Sequence, residues 1–202
     1  ADTANLLSKT RTPVVESWAL EDAMDMCVGY DTAEATRAMV RLHAAEGRRR
    51  IALVVYEGSV SRRFKERIPA YEQQMDALGL VPDLVQRVQE TDGFGAGPRA
   101  LAALLQRAPD LDAVICPTDI IAAGVVFECG RRGIDVPDRI AVSGWGDYEI
   151  ASEMTPGLTT IQPNAWEMGQ AAIRMIVDRT GGAIDFPATS DTGFDILRRA
   201  SA

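Results

Sequence analysis

The chain has 202 residues, 47% of them hydrophobic and 25% charged, with a formal net charge of −8 and a pI of about 4.7. That is enough apolar sequence for one large core or two small ones, and the acidic balance argues against bulk nucleic-acid binding, which needs clustered lysine and arginine on phosphates. No apolar run reaches the ~18 residues of a membrane span, and the N-terminal stretch lacks the apolar segment of a signal peptide.

In chain order, residues 13–16 (Pro-Val-Val-Glu) form a short apolar run read as a strand. Residues 31–46 place Ala35, Ala38, Met39, Leu42 and Ala45 at helical spacing, and Gly47 supplies the stop. The one histidine, His43, lies on this helix between Leu42 and Ala44 and is assigned a structural role. A single histidine all but excludes a Ser-His-Asp triad or a histidine-rich metal site. The basic run at residues 48–50 reads as a solvated helix end and loop. Residues 51–55 (Ile-Ala-Leu-Val-Val) are a continuous β-rich run, the mark of a strand covered on both faces.

After a Gly-Ser turn, a helix over residues 62–78 ends at Gly79, with Pro69 imposing a late start or a kink. Residues 84–88 are a strand candidate. Residues 93–98 (Gly-Phe-Gly-Ala-Gly-Pro) open a helix over 98–106. Their pattern is neither GxGxxG after a buried strand nor a Walker loop with its lysine, so a flexible cleft wall is preferred to a phosphate cradle, and no cofactor is expected. Residues 113–116 form the next buried strand. Asp119 can cap a helix over 120–132 that closes at Gly133, and residues 140–145 and 158–161 are further strands. A helix over 164–179, capped by Asn164 and ended by Gly181-Gly182, leads to a β-like tail through Phe194-Asp195-Ile196-Leu197.

Strands alternating with helices imply βαβ units and a mostly parallel sheet, with right-handed crossovers that bring the strand ends to one edge. Ligands bind beyond the carboxyl ends of such strands. The turns at residues 116–119 and 144–147 are therefore the candidate floor of a small-molecule site. Cys27, Cys116 and Cys129 are an odd count without CxxC spacing, which fits buried free thiols of a cytosolic protein and no metal site.

Four motifs, in order, resemble the effector-binding domain of the LacI/GalR family of bacterial transcription regulators. Glu46-Gly47-Arg48-Arg49-Arg50-Ile51-Ala52 is similar to the family's "GHRRIA", and Arg67-Ile68-Pro69-Ala70-Tyr71 to its "R-x-x-G-[YF]". Residues 116–124 with 133–142 are similar to "NDxxAxG…GxxVPxDIxV", and Thr155-Pro156-Gly157-Leu158-Thr159-Thr160-Ile161 to "xPPLTTV". The resemblance covers about residues 12–201 and implies an α/β, periplasmic-binding-protein-like type I fold with two Rossmann-like parallel-sheet lobes. On that reading residues 1–48 and 155–181 belong to the N-terminal lobe, and 49–154 with 182–202 to the C-terminal lobe. It also implies that the helix-turn-helix DNA reader and about half of the N-terminal lobe, which precede the "PVV" strand in such regulators, are absent from this chain.

The resemblance marks Arg67 as an effector contact, and a guanidinium's fixed fork of donors suits sugar hydroxyls or a carboxylate. An exposed helix arginine is the plain alternative. Asp119, helped by Thr118, is either a sugar-hydroxyl ligand, a helix cap or both. Gly146, in Gly144-Trp145-Gly146-Asp147, stands where the commoner family pattern has an acid. A missing carboxylate favours an effector with negative charge or bulk at that point. This turn, with Phe127-Glu128-Cys129 upstream, resembles the gluconate-regulator branch. Asp147 is a pocket residue or a turn former. Glu34 is an acidic effector contact or a first-turn glutamate favoured by the helix dipole. Phe94 and Trp145 are apolar platforms for a sugar ring or core residues.

The expectation is a cytoplasmic, non-enzymatic sensor. It would bind a sugar or sugar acid such as gluconate between lobes, form a homodimer and control DNA binding, as a repressor, through the missing helix-turn-helix. A periplasmic sugar-binding protein of a transport system is the first alternative. An enzyme on a doubly wound sheet is the second, although no nucleophile elbow, nucleotide loop or metal cluster is found.

Overall fold

The computed structural model describes residues 6–7, 12–21, 23–58, 62–182 and 188–202. Its elements are β1 (Val15–Ser17), β2 (Met26–Gly29), α1 (Thr32–Ala45), β3 (Ile51–Tyr56), α2 (Arg62–Lys65), α3 (Arg67–Ala77), β4 (Val85–Val88), a 3-10 stretch (Glu90–Gly95), α4 (Ala96–Arg107), β5 (Ala113–Ile115), α5 (Asp119–Arg132), β6 (Ala141–Trp145), α6 (Glu149–Glu153), β7 (Thr159–Pro163), α7 (Ala165–Thr180), β8 (Thr189–Asp191) and β9 (Phe194–Leu197). The Gly-Ser turn expected after Glu57 runs into residues 59–61, outside the described residues.

The strands form two sheets, β1-β2-β8 and β4-β3-β5-β6-β7-β9. The first is parallel throughout, and in the second β4, β3, β5, β6 and β7 pair parallel in turn. This is the α/β, parallel-sheet, periplasmic-binding-protein-like architecture. Two compact units divide the chain: Ala1–Asp31 with Pro163–Phe194, and Thr32–Gln162 with Asp195–Ala202. These borders depart from those expected at residues 48, 154 and 181. Helix α1 lies in the larger unit because it packs on α3 and because His43 reaches Ser143 of β6, Nε2 to Oγ at 2.9 Å.

The apolar stripe of α1 is also rotated from the expected one. Thr32, Ala35, Thr36, Met39, Val40 and His43 are buried, whereas Ala45 is exposed. The helix expected over 62–78 is two pieces broken at Glu66, so that Pro69 falls in the first turn of α3, where its missing N–H costs nothing. Strand β2 and helix α6, four and five residues long, carry too few residues for a periodic signal. Asn164 has no side-chain cap bond to α7; its amide donates to the Thr192 carbonyl oxygen at 2.8 Å instead. The arginine run is engaged rather than merely solvated. Arg48 donates to the carbonyl oxygens of Pro137 and Asp138, and the Arg50 guanidinium pairs with Asp83.

Strand β3 illustrates how a continuous apolar run becomes an interior strand, paired on both sides with β4 and β5. Alternate side chains point to opposite faces. Ala52 and Val54 join Leu101, Leu104, Val114, Val125 and Val142 in one apolar cluster, while the buried hydroxyl of Tyr71 on α3 donates to the Ile51 carbonyl oxygen at 2.8 Å. Helices α4 and α5 pack closely because both carry glycine at their contact. A Cβ on Gly97 would lie 2.5 Å from Gly124 C and Val125 N, and one on Gly124 would lie 2.2 Å from the Phe94 carbonyl oxygen. The residue 93–98 stretch thus serves packing as well as the loop. Gly97→Ala is expected to cost about 2 kcal/mol by forcing two backbones apart. An unchanged urea midpoint would show that the helices yield freely.

Candidate functional site

The carboxyl ends of β3, β5 and β6 lead to Tyr56, to Cys116-Pro117-Thr118 and to the 145–148 turn. A cavity of about 300 Å3 opens there within the larger unit, lined by Tyr56, Phe64, Gly93, Thr118, Ile120, Ile121 and Tyr148. The Tyr56 and Phe64 rings meet edge-on, 5.1 Å between centroids and 84° between planes. The Tyr56 hydroxyl lies 3.3 Å from Thr118 Oγ1. Aromatic walls with a few convergent hydroxyls are the usual make-up of a small-molecule site, and the volume lies at the small end of that range.

Of the residues singled out by sequence, Thr118 lines this cavity and the others surround it or stand apart. Arg67 begins α3 and is 2% exposed. Its guanidinium carbon lies 3.4 Å from the centroid of the Trp145 ring and 4.8 Å from that of Phe64, and Nη1 donates to the Pro117 carbonyl oxygen at 3.1 Å. Arg67 therefore ties the ends of two strands together behind the Phe64 wall. Trp145 is buried in that stack, a core ring more than an open platform.

Asp119 is fully buried. Thr118, not Asp119, occupies the cap position of α5. The Asp119 carboxylate instead accepts the Thr160 hydroxyl at 2.5 Å and the Tyr148 N–H at 2.7 Å, bridging β7 to the 145–148 turn. Burial pushes its carboxyl above the ordinary carboxylate range, against the hydrogen bonds from Thr160, Tyr148 and the Trp145 backbone. Asp147, at φ 52°, accepts Arg199 Nη2 and Gln162 Nε2, both at 2.8 Å. Its carboxylate ties the turn to β7 and to the C-terminal tail.

Gly146 has φ 123°, and a Cβ there would lie 2.8 Å from Tyr148 Cε1. Backbone conformation and the neighbouring ring thus account for the glycine by themselves, and the missing carboxylate loses its force as a sign of an anionic effector. Glu34 is bonded on its own helix to Arg37 Nε at 2.8 Å and Arg41 Nη2 at 2.6 Å. Those hydrogen bonds, Arg37 first, hold its carboxyl below the usual range. Phe94 is 45% exposed and stacks on Phe127 at 6.2 Å, outside the cavity lining.

Tyr56, Phe64 and Tyr148 were missed by sequence reasoning. Tyr56 directly follows the 51–55 apolar run, so the strand-end rule applied to that strand would have found it. Phe64 and Tyr148 carry no such signal. Among the described residues, those that line the cavity include no cysteine, serine, lysine or histidine. Cys116 is buried beneath it, and burial pushes its thiol up, far from the reactive thiolate form.

Residues 40–201 match the periplasmic binding protein-like domain family. The chain is 32% identical over 196 residues to the HTH-type transcriptional regulator GntR of Escherichia coli (strain K12), a match covering 96% of this chain and 58% of that protein. The solved structure of transcription regulator GntR from Chromobacterium violaceum is similar with a TM-score of 0.91 at 28% identity, over 100% of this chain and 74% of that one. A transcriptional regulator CelR–cellobiose complex is similar with a TM-score of 0.83 at 26% identity, over 94% of this chain and 59% of that one. The chain thus spans little more than half the length of the curated relative it matches.

Proposed function

This chain belongs to the periplasmic binding protein-like domain family, and on that premise we propose that it is the sensing part of a cytoplasmic LacI-type transcriptional regulator whose effector is a sugar or sugar acid. The observation that carries the reading is the cavity at the strand ends, where the Tyr56 and Phe64 rings and the Tyr56–Thr118 hydroxyl pair line one space. Apolar rings bury the C–H faces of a sugar skeleton, and hydroxyls exchange hydrogen bonds with its own. Thr118 and Tyr56 are the direct polar contacts. Arg67, Trp145, Asp119 and Asp147 hold the walls in place.

Gluconate is the first effector to test. Support for it comes from the turn and the Phe127-Glu128-Cys129 segment that resemble the gluconate-regulator branch, and from the likeness to GntR. A bound effector shifts the protein between two arrangements only by its difference in affinity for them. In the full-length homodimer that shift would alter operator binding by a helix-turn-helix, with the chain acting in a repressor. The chemistry required is binding alone, with no bond made or broken.

The full-length protein, screened by thermal shift, is expected to melt several degrees higher with gluconate at about 100 times its Kd, since that occupancy is worth about 2.7 kcal/mol. A smaller shift is expected with glucose. A panel of gluconate, glucose and cellobiose that leaves the melting temperature unmoved at millimolar concentrations would sink the sensing function.

A further inference from the structure

We infer that Tyr148 is the residue that sets ligand selectivity at this cavity, an inference that rests on the sensing function proposed above. Of the four residues in the 145–148 turn, three direct their contacts inward. The Trp145 ring lies under the Arg67 guanidinium. The Gly146 N–H donates to the Ile161 carbonyl oxygen at 2.8 Å. The Asp147 carboxylate is engaged by Arg199 and Gln162. Tyr148 is the member of the turn whose side chain lines the cavity.

Its main chain is fixed on both sides. The N–H is held by Asp119 Oδ2 at 2.7 Å, and the carbonyl oxygen accepts the Ala151 N–H at 2.7 Å. Asp119 is in turn fixed by Thr160, so the root of Tyr148 is anchored to β7 through a buried carboxylate. The residue as a whole is nonetheless 48% exposed. Its ring lies against Gly146, where a Cβ would come within 2.8 Å of Cε1 and 3.2 Å of Cζ. Glycine at 146 is therefore what gives the ring its place, which makes Gly146 a positioning residue for Tyr148.

A rigid root on a half-exposed aromatic residue is the arrangement by which a binding surface gains contact area at small entropic cost. The ring has apolar area to bury on a ligand, and its hydroxyl can donate to or accept from a ligand hydroxyl or carboxylate. Tyr56, Phe64 and Thr118 line the same cavity. A polyhydroxylated carbon chain or ring held there would lie against Tyr148 as well. A site that hydrogen-bonds one particular ligand oxygen rejects analogues that lack it far more strongly than apolar walls alone can.

Calorimetric titration of the full-length protein with gluconate and, separately, with glucose tests this. Tyr148→Ala is expected to weaken gluconate binding at least about tenfold and to shrink the gluconate-to-glucose preference at least about threefold. Tyr148→Phe keeps the ring and loses the hydroxyl, with an expected loss of about three- to fivefold. Gly146→Ala, which adds no group capable of binding, is expected to match Tyr148→Ala because it displaces the ring. The melting temperature of Tyr148→Ala should stay near that of the parent, since the residue is half in solvent already. Gluconate affinity within twofold of the parent in Tyr148→Ala, or an unchanged preference ratio, overturns the inference and leaves the sensing function standing. If the parent protein binds neither sugar, both fall. Should Gly146→Ala fail to fold, the two Tyr148 variants decide the matter alone.

Discussion

Arg67→Ala is expected to cost the fold about 3–5 kcal/mol and to weaken effector binding at least about tenfold. The guanidinium is 2% exposed, so solvent does not screen what it does. It lies on the Trp145 ring, faces Phe64 and donates to the Pro117 carbonyl oxygen. A desolvated cation over an aromatic ring is worth about 2 kcal/mol and a charged hydrogen bond about 1.5–3 kcal/mol. Truncation also leaves a void under two strand ends, and Phe64, a cavity wall, loses its backing. Arg67→Lys separates charge from shape. A compact ammonium keeps the charge but cannot lie flat on an indole, so this variant should recover less than half of the lost stability. Chemical denaturation and gluconate titration of both variants check this. A lysine variant as stable as the parent would show that charge alone suffices, and Arg67→Ala binding with parental affinity would remove the residue from any role at the cavity.

Between pH 7 and pH 4.5 the protein is expected to lose about 3 kcal/mol of stability through His43 alone. Burial, with a smaller contribution from the Arg48 charge, lowers the folded-state pKa of His43 from 6.5 to about 3. Below pH 6.5 the unfolded chain takes up a proton that the folded chain refuses until pH 3. The stability present above pH 6.5 is thus lost progressively through that window, at about 1.4 kcal/mol per pH unit. The structural reason is a fully buried ring with Nε2 on Ser143 Oγ and Nδ1 without a hydrogen-bond partner among the described residues. His43→Gln should flatten the acid limb of a stability–pH curve measured by urea unfolding. If that variant does not fold, His43→Leu paired with Ser143→Ala removes both polar groups and makes the same comparison. An acid limb of equal slope in a histidine-free variant would assign the loss to carboxylates instead.

His43 also shows where the limit of sequence reading lies. Its position four residues after Met39 places it on the buried stripe of α1, so a structural role was legible. Its partner was not, because Ser143 stands 100 residues away and is chosen by the stacking of α1 on the sheet. The same holds for the strand-end turns. Their place at the sheet edge followed from the alternation of strands and helices. Which of their side chains would face the cavity did not follow. Asp119 seemed a cap or a ligand, and register β6–β7, which pairs Gly144 with Thr160, is what brings the Thr160 hydroxyl to its carboxylate.

By itself the sequence determined the element order, the parallel sheet, the burial of β3 and the family. These are written in periodicity and turn chemistry over windows of about 11–18 residues, and in motifs that keep their order. Only the tertiary structure decided that α1 joins the larger unit, that Gly97 and Gly124 let two helices touch, that the Arg67 guanidinium stacks on Trp145 and Phe64, and that Tyr148 rather than its three neighbours lines the cavity. The physical reason is that burial is settled by non-local packing. A polar side chain turns inward only where a distant partner satisfies it, and a chain read locally does not contain that partner.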